Sequence, residues 1–248
     1  MTGGGTRARL VLFDALGTLF KPRIPVGLQP TPQNAAALSR AQPFYGASTA
    51  ASDAKTLEPL DSNVSATRRW WKSVVLGTFL DAGLPKSELR KAEDALFAEL
   101  WNSFACATGY AAYDETVVAL ERLRHGPLTP PKLGVLSNVD LRLHTALASL
   151  GIAQYFDVIL CSEELACEKP DPRAFAAAAA AAGVLPQDVL HIGDDIHRDY
   201  MGARAAGMQS LWLQRSFQEE SPLPPEVAPQ DVIHSLLDVE KHWAYQDA

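Results

Sequence analysis

The chain has 248 residues, of which 47% are hydrophobic and 21% are charged, enough for one large domain or for a domain with a subdomain. Its formal net charge of -7 argues against nucleic-acid binding, because proteins hold phosphate backbones with an excess of Lys and Arg. No run reaches the ~20 apolar residues of a membrane span, and the polar N-terminus does not match a signal peptide, so we expect no membrane partner.

The three cysteines, Cys106, Cys161 and Cys167, are odd in number and show no CxxC or Cys/His spacing. This pattern argues against a disulfide framework or a zinc site and favours a reducing compartment. We therefore expect a cytoplasmic protein, with the nucleus open as a second location.

Apolar runs that end in polar residues predict the strands of the core. In chain order they are RLVLFDA at 9–15, KLGVLSN at 132–138, FDVILCS at 156–162, DVLHIGD at 188–194 and SLWLQR at 210–215. Helix-like segments lie between them at 114–124, 142–152, 171–184 and 199–208. The alternation predicts an α/β fold in which helices cover both faces of a doubly wound parallel sheet. Ligands bind such sheets at the carboxyl ends of the strands, where these polar residues gather.

Residues 21–113 interrupt the alternation. Two amphipathic helices are predicted there, over 65–84 and 86–105, each with apolar residues at helical spacing. The preceding residues, 21–64, are rich in Pro, Ala, Ser and Gly and are interpreted as loops or linker. The predicted division is a core domain of residues 1–20 and 114–248, and a helical domain of residues 21–113 inserted after the first strand.

Asp14 directly follows a buried strand and precedes a turn at Gly17 and Thr18, which is where a nucleophile would be placed. An Asp carboxylate can attack phosphorus or carbon and form a covalent intermediate, although an Asp that caps a turn gives the same local pattern. Thr18, Ser137 and Asn138 carry hydroxyl and amide groups at the ends of strands, and we expect them to hold phosphate oxygens. Helix capping is the structural alternative for Ser137 and Asn138.

Charged residues cluster in the second half of the chain. Lys169, in the sequence KPDP, is a candidate cationic clamp for a charged nucleophile and a transferring phosphoryl group, although a solvated surface lysine is the default interpretation. Asp194, Asp195 and Asp199 follow a predicted strand. Carboxylates that converge in this way repel one another unless a hard cation such as Mg²⁺ binds between them. A helix N-cap is the alternative for Asp195 or Asp199.

Four fragments lie in order along the chain: DALGT at 14–18, LSN at 136–138, EKPDPRAF at 168–175 and HIGDDIHRDYMGARAAG at 191–207. Together they resemble the haloacid dehalogenase-like (HAD) hydrolase superfamily. The RWWK and YDETVVALERLR segments look most like its subgroup named HAD-like hydrolase domain-containing protein 3. The resemblance covers nearly the whole chain. It implies a Rossmann-like core, a helical cap at 21–113, and Asp14 and Lys169 as catalytic residues.

The resemblance also implies a Mg²⁺ site formed by Asp14, the backbone carbonyl of Leu16, Asp194 and Asp199. In the phosphatases of the superfamily, the position of Leu16 is a second Asp, which protonates the leaving group and then activates water. Leu16 keeps the carbonyl but has no proton to give or take. Acid–base help of this kind contributes about 10²–10⁴-fold in rate, so a simple alkyl phosphate should be a poor substrate.

The L-2-haloacid dehalogenases of the same superfamily also carry a non-acidic residue at this position, because a halide leaves without a proton. They work without metal, typically lack the acidic run that this chain retains, and need an Arg near the cap, for which Arg68 and Arg69 are available. We therefore expect a Mg²⁺-dependent, phosphatase-like hydrolase of a phosphorylated small molecule. The alternatives are a dehalogenase-type hydrolase, and a catalytically weak binding or regulatory protein with a protein partner.

Overall fold

The computed structural model describes residues 8–23, 66–126, 129–215 and 223–244. The chain divides into two compact units, Met1–Arg23 with Cys106–Ala248, and Ile24–Ala105. Most of the predicted loop region 21–64 lies outside the described residues. All candidate catalytic and metal-binding residues belong to the first unit.

The first unit is built on parallel strands. Its strands are β1 (Leu10–Phe13), β2 (Phe20–Pro22), β3 (Tyr110–Ala112), β4 (Lys132–Ser137), β5 (Val158–Cys161), β6 (Val189–Gly193), β7 (Gln209–Leu213) and β8 (Val232–Ile233). Six of them form one sheet in the order β5-β4-β1-β6-β7-β8, and every neighbouring pair is parallel. Because the chain builds outward first on one side of β1 and then on the other, the predicted doubly wound α/β fold is confirmed.

Helices follow the strands as the sequence pattern predicted, although the shortest ones were not foreseen. They are α1 (Ala66–Asp81), α2 (Lys86–Ser103), α3 (Thr116–His125), α4 (Arg142–Ser149), α5 (Ser162–Leu165), α6 (Pro172–Ala182), α7 (Gly202–Ala205) and α8 (Val239–Ala244). The predicted helix at 199–208 differs from the structure. A π-helical segment, Ile196–Met201, precedes α7 there.

Strand β1 lies at the centre of the sheet and is buried on both faces. Val11 and Phe13 belong to one apolar cluster, which also contains Leu120 of α3. Leu12 belongs to a second cluster, with Phe175 of α6. Successive side chains of a strand point to opposite faces, so each face of β1 is covered by its own layer of helices. The carboxylate that follows β1 is therefore held by the most constrained strand of the fold.

The alanine run at 176–182 lies in α6, and its inward side is fully covered. Ala178, Ala179 and Ala182 are buried in the same cluster as Leu136 of β4. Small side chains let a helix approach a sheet closely, so this run is the face by which α6 packs on the sheet.

The first unit extends beyond the predicted core domain. Strands β2 and β3 pair with each other in an antiparallel ladder, and the Arg23 N–H donates to the Gly109 carbonyl at 2.7 Å. The units therefore divide after Arg23 and before Cys106, and not at residues 20/21 and 113/114. The sequence pattern missed this pair because strands of three residues are too short to show an alternation.

In the second unit, helices α1 and α2 pack against each other, and both lie within the predicted helices 65–84 and 86–105. The Arg68 guanidinium lies over the rings of Phe97 and Trp101, 5.9 and 5.5 Å from their centroids. Lys72 donates to Glu93 and Asp94 of α2. No helix in the described part of the chain combines the length and apolar character needed to cross a membrane.

The central strand gives a direct stability prediction. Leu12 is fully buried in β1, whereas Leu185 is 59% exposed. We expect Leu12→Ala to lower the free energy of unfolding by about 2–5 kcal/mol, because a cavity remains in the core. Leu185→Ala should change it by less than about 0.5 kcal/mol. Urea unfolding measures both, and equal losses would contradict the assigned burial.

Candidate active site

The site forms where three neighbouring strands end. Asp14 follows β1, Ser137 is the last residue of β4, and Asp194 follows β6. Since parallel strands end at the same edge of a sheet, residues far apart in sequence meet there. The Ser137 hydroxyl donates to Asp14 Oδ1 at 3.0 Å, so Ser137 holds the candidate nucleophile in place.

Lys169 is the centre of the charge arrangement. Its Nζ donates to Asp14 Oδ1 at 2.7 Å and to Asp199 Oδ1 at 2.6 Å. All three residues are buried, and Lys169 is only 2% exposed, which excludes the solvated-lysine interpretation. Ser137 and Lys169 both donate to Oδ1 of Asp14, which leaves Oδ2 for an electrophile or a cation.

Asn138 fixes the main chain of Lys169. The Asn138 amide donates to the Lys169 carbonyl, and the Lys169 N–H donates to Asn138 Oδ1, both at 2.8 Å. The Lys169–Pro170 peptide bond is cis. The amide of Asn138 is thus used to position the clamp, and its role in holding phosphate stays a prediction.

The two acidic neighbours of Asp194 have different roles. Asp195 Oδ1 accepts the N–H groups of His197 and Arg198 at 2.9 and 2.8 Å, so the N-cap alternative is confirmed for Asp195. Asp199 lies in the π-helical segment, and its Oδ2 accepts the Asp195 N–H at 3.1 Å. Its carboxylate points at Lys169. Single π-helical turns occur frequently at functional sites.

Asp194 and the turn after Asp14 lie in close contact. The Thr18 hydroxyl donates to Asp194 Oδ1 at 3.4 Å, and the Trp212 indole N–H donates to the Asp194 carbonyl at 2.8 Å. Gly17 has a φ of +91°, and a Cβ there would lie 2.3 Å from Asp194 Oδ2. Only glycine therefore fits this turn. The structure places the Thr18 hydroxyl on a carboxylate, and its contact with phosphate stays a prediction.

The donor set fits a hard cation. Asp14, Asp194 and Asp199 each offer a carboxylate oxygen, and these oxygens lie within 4.8 Å of one another. When all three are ionised, Lys169 balances one of three negative charges. Oxygen ligands and uncompensated negative charge are the conditions that Mg²⁺ prefers. The predicted contribution of the Leu16 carbonyl stays a prediction. The Leu16 side chain is 36% exposed.

The electrostatics of the site follow from burial and from Lys169. Burial raises the pKa of the Asp14 carboxyl, because desolvation outweighs the attraction of Lys169. Desolvation, followed by the charges of Asp14 and Asp199, raises the pKa of Asp194 to about 7. Burial also opposes ionisation of Asp199, but Lys169 and then His191 hold its pKa below its usual range. Asp199 is therefore the acid of the cluster that ionises most readily.

His191 lies on β6, next to this cluster, and is fully buried. Its Nε2 lies 3.0 Å from Asp199 Oδ1, and Nε2–H is the donor because Asp199 is ionised. Burial lowers the pKa of His191, because desolvation disfavours the charged ring. Its Nδ1 finds no partner within the described part of the chain. His191 thus orients Asp199 and does not reach the pocket.

Sequence reasoning missed Arg215, which follows β7 at the same edge of the sheet. Its guanidinium donates to the carbonyls of Gly17 at 3.0 Å and Thr18 at 2.6 Å. It also pairs with Glu115 and lies 3.5 Å from the ring centroid of Tyr113. The available signal was an Arg placed directly after a buried strand, in the same position as the other polar residues.

Comparison with known proteins gives the family. A model of haloacid dehalogenase-like hydrolases matches residues 8–207. The chain belongs to the HAD-like hydrolase family. A mouse relative named haloacid dehalogenase-like hydrolase domain-containing protein 3 is 33% identical, over 92% of this chain and 90% of its own length. The resemblance found in the sequence, including that to the subgroup, is confirmed.

Some of the proteins similar to this chain are named phosphatases, and others are named dehalogenases. A phosphoserine phosphatase from Thermus thermophilus is 32% identical over 64% of this chain and 59% of its own length. The crystal structure of an L-2-haloacid dehalogenase shares 25% identity at a TM-score of 0.62, covering 96% of this chain and all of the other. The HAD-like fold and membership among hydrolases are thus established.

The buried lysine gives a pH-dependent stability prediction. We expect Lys169→Met to lower the free energy of unfolding by about 3–5 kcal/mol at about pH 8 without metal, because two buried carboxylates lose their partner. Burial then raises the pKa of both acids in the folded state above the unfolded value of about 4. The folded state of the variant consequently loses stability as the pH rises above that value. The loss of stability relative to the wild type is therefore smaller at about pH 5 than at about pH 8.

Lys72→Met is the matched control, because Lys72 also pairs with two carboxylates but 29% of its side chain is exposed. It should cost at most about 1 kcal/mol, with little dependence on pH. Urea unfolding at both pH values measures the difference. A loss for Lys169→Met that does not grow with pH would contradict the pairing described above.

Proposed function

We propose that the protein is a Mg²⁺-dependent, phosphatase-like hydrolase that uses Asp14 as a covalent nucleophile. The observation that carries the proposal is the cluster of Asp14, Asp194 and Asp199, whose oxygens lie within 4.8 Å of one another beside a buried lysine. A displacement at carbon with a halide leaving group does not need such a cation site. The similarity to a phosphoserine phosphatase supports the same choice.

In the proposed first step, an Asp14 carboxylate oxygen attacks the phosphorus atom, and the bond between phosphorus and the leaving oxygen breaks. Asp14, Asp194, Asp199 and the Leu16 carbonyl would hold Mg²⁺, which supplies neutralisation of phosphoryl charge. Lys169 favours the ionised form of Asp14 against the effect of burial, orients its carboxylate, and adds positive charge beside the reacting group. In the second step, water attacks phosphorus, the bond to Asp14 breaks, and inorganic phosphate leaves with the proton that the water gives up.

Leu16 determines which substrates can react. An alkoxide needs a proton as it leaves, and Leu16 cannot supply one. The leaving groups of acyl and aryl phosphates are carboxylates and stabilised phenolates, which need no proton. Leu16 also cannot activate water for the second step. We therefore propose that the substrate is a phosphorylated small molecule with a good leaving group, and that hydrolysis of the aspartyl-phosphate limits turnover.

The test compares leaving groups. We expect the wild type to hydrolyse acetyl phosphate and p-nitrophenyl phosphate with Mg²⁺ but not with EDTA, and Asp14→Asn to be inactive. Leu16→Asp should raise the hydrolysis of an alkyl phosphate such as glycerol phosphate by about 10²-fold, because it restores acid–base help. Leu185→Asp makes the same change at an exposed position before β6 and should have no effect.

Two outcomes would decide against this mechanism. Full metal-dependent turnover by Asp14→Asn would exclude the covalent nucleophile. An inactive wild type beside an active Leu16→Asp variant would show an intact pocket without a proton shuttle. That result would favour the alternative of a binding or regulatory protein.

Rapid mixing tests the limiting step separately. With p-nitrophenyl phosphate, we expect the wild type to release about one equivalent of p-nitrophenolate in a burst, followed by slow turnover. Leu16→Asp should raise the slow phase more than the burst, because it supplies the base for attack by water. Turnover without a burst would show that hydrolysis of the aspartyl-phosphate is not the limiting step.

A dehalogenase is the second candidate, because Leu16 is non-acidic and a solved L-2-haloacid dehalogenase shares the fold at 25% identity. There, Asp14 would attack the halogen-bearing carbon, and halide would leave without a proton. This candidate predicts halide release from 2-chloropropionate in EDTA, without activity on the phosphates. Our proposal predicts hydrolysis of the phosphates with Mg²⁺ and no halide release.

A further inference from the structure

Arg215 occupies a place in the site that the proposed chemistry does not use. It follows β7 and is half-buried, with 18% of its side chain exposed. Three nitrogens of its guanidinium are engaged: Nε with the Gly17 carbonyl, Nη2 with the Thr18 carbonyl and Nη1 with Glu115. The Tyr113 ring covers its face at 3.5 Å. An arginine fixed on this many sides has a single orientation.

The segment that Arg215 holds is the turn after the nucleophile. The Ala15 carbonyl accepts the N–H groups of Thr18, Leu19 and Phe20, which closes the turn on its inner side. The carbonyls of Gly17 and Thr18 instead face the guanidinium. The Thr18 hydroxyl also donates a hydrogen bond to Asp194. A chain of contacts therefore runs from Arg215 through the turn to a carboxylate of the cation cluster.

We propose that Arg215 is a positioning residue, which holds the turn so that Asp14 and Asp194 keep the separation needed for turnover. This inference rests on the proposed function. Gly17 has positive φ, so the turn adopts a conformation that most residues avoid. Two charge-assisted hydrogen bonds to its carbonyls stabilise that conformation. Glu115 supplies the opposite charge that keeps Arg215 itself in place.

The experiment replaces Arg215 and then supplies its guanidinium group as a soluble ion. Arg215→Ala should lower kcat on acetyl phosphate by about 10²-fold with little change in KM, because small displacements of a reacting group have effects of this size. Mg²⁺ binding, measured by calorimetry, should weaken by about tenfold. Millimolar guanidinium chloride should restore both, whereas equal sodium chloride should not. Arg215→Lys should be intermediate, since one ammonium cannot serve both carbonyls and Glu115.

Arg204→Ala is the matched control. Arg204 makes the same kinds of contact, with Asp231, the Ser210 hydroxyl and the Tyr200 ring, but none with the turn. It should keep wild-type kcat and Mg²⁺ affinity. Activity of Arg215→Ala within about twofold of wild type would overturn the inference. So would a loss that guanidinium does not restore and that Arg204→Ala shares, since that is general destabilisation.

Failure of this inference is distinguishable from failure of the proposed function. A wild type that neither turns over phosphates nor binds Mg²⁺ contradicts the proposed function, whatever Arg215 does. An active wild type with an equally active Arg215→Ala contradicts only the positioning role. If Arg215→Ala fails to fold, Arg215→Lys carries the test, because it keeps the positive charge beside Glu115. Wild-type kcat and Mg²⁺ affinity in Arg215→Lys would then overturn the inference.

Discussion

The candidate active site depends on one buried ammonium group. Lys169 lies between Asp14 and Asp199 with both contacts under 3 Å, and without it two carboxylates would be buried side by side. Such an arrangement is stable only when the charges are paired and hydrogen-bonded. Ser137, Asn138 and His191 supply those further bonds. Each of these neighbours either holds a charged atom of the cluster or holds the backbone that carries one.

The chain combines two features that the resemblance assigns to different members of its family. Leu16 matches the pattern implied for dehalogenases, whereas the acidic cluster matches that implied for phosphatases. The structure brings the acidic residues together around one point and leaves the Leu16 side chain partly exposed at the same edge. The mismatch is thus located at the Leu16 side chain, while the residues proposed as nucleophile, cationic clamp and cation ligands lie together as one cluster.

Much of the fold and half of the site could be predicted from the sequence. Apolar runs ending in Asp14, Ser137 and Asp194 placed these residues at one edge of a parallel sheet, because burial and strand direction are local properties. The contacts of Asn138 and Arg215 could not be predicted. The guanidinium of Arg215 meets a carbonyl 198 residues away in the chain, and no local pattern encodes that pairing. The short strands β2 and β3 and the π-helical segment were missed because they lack a periodic signal.

The position of β1 also has a consequence for biosynthesis. It leaves the ribosome before both of its neighbours in the sheet, β4 and β6, which come from the second half of the chain. Until they are made, four consecutive apolar residues have two unpaired edges, the kind of segment that pairs with other chains. Domains with such long-range strand pairing fold slowly and expose aggregation-prone surface. The strand that precedes the candidate nucleophile therefore has no partners in the sheet until the second half of the chain has been made.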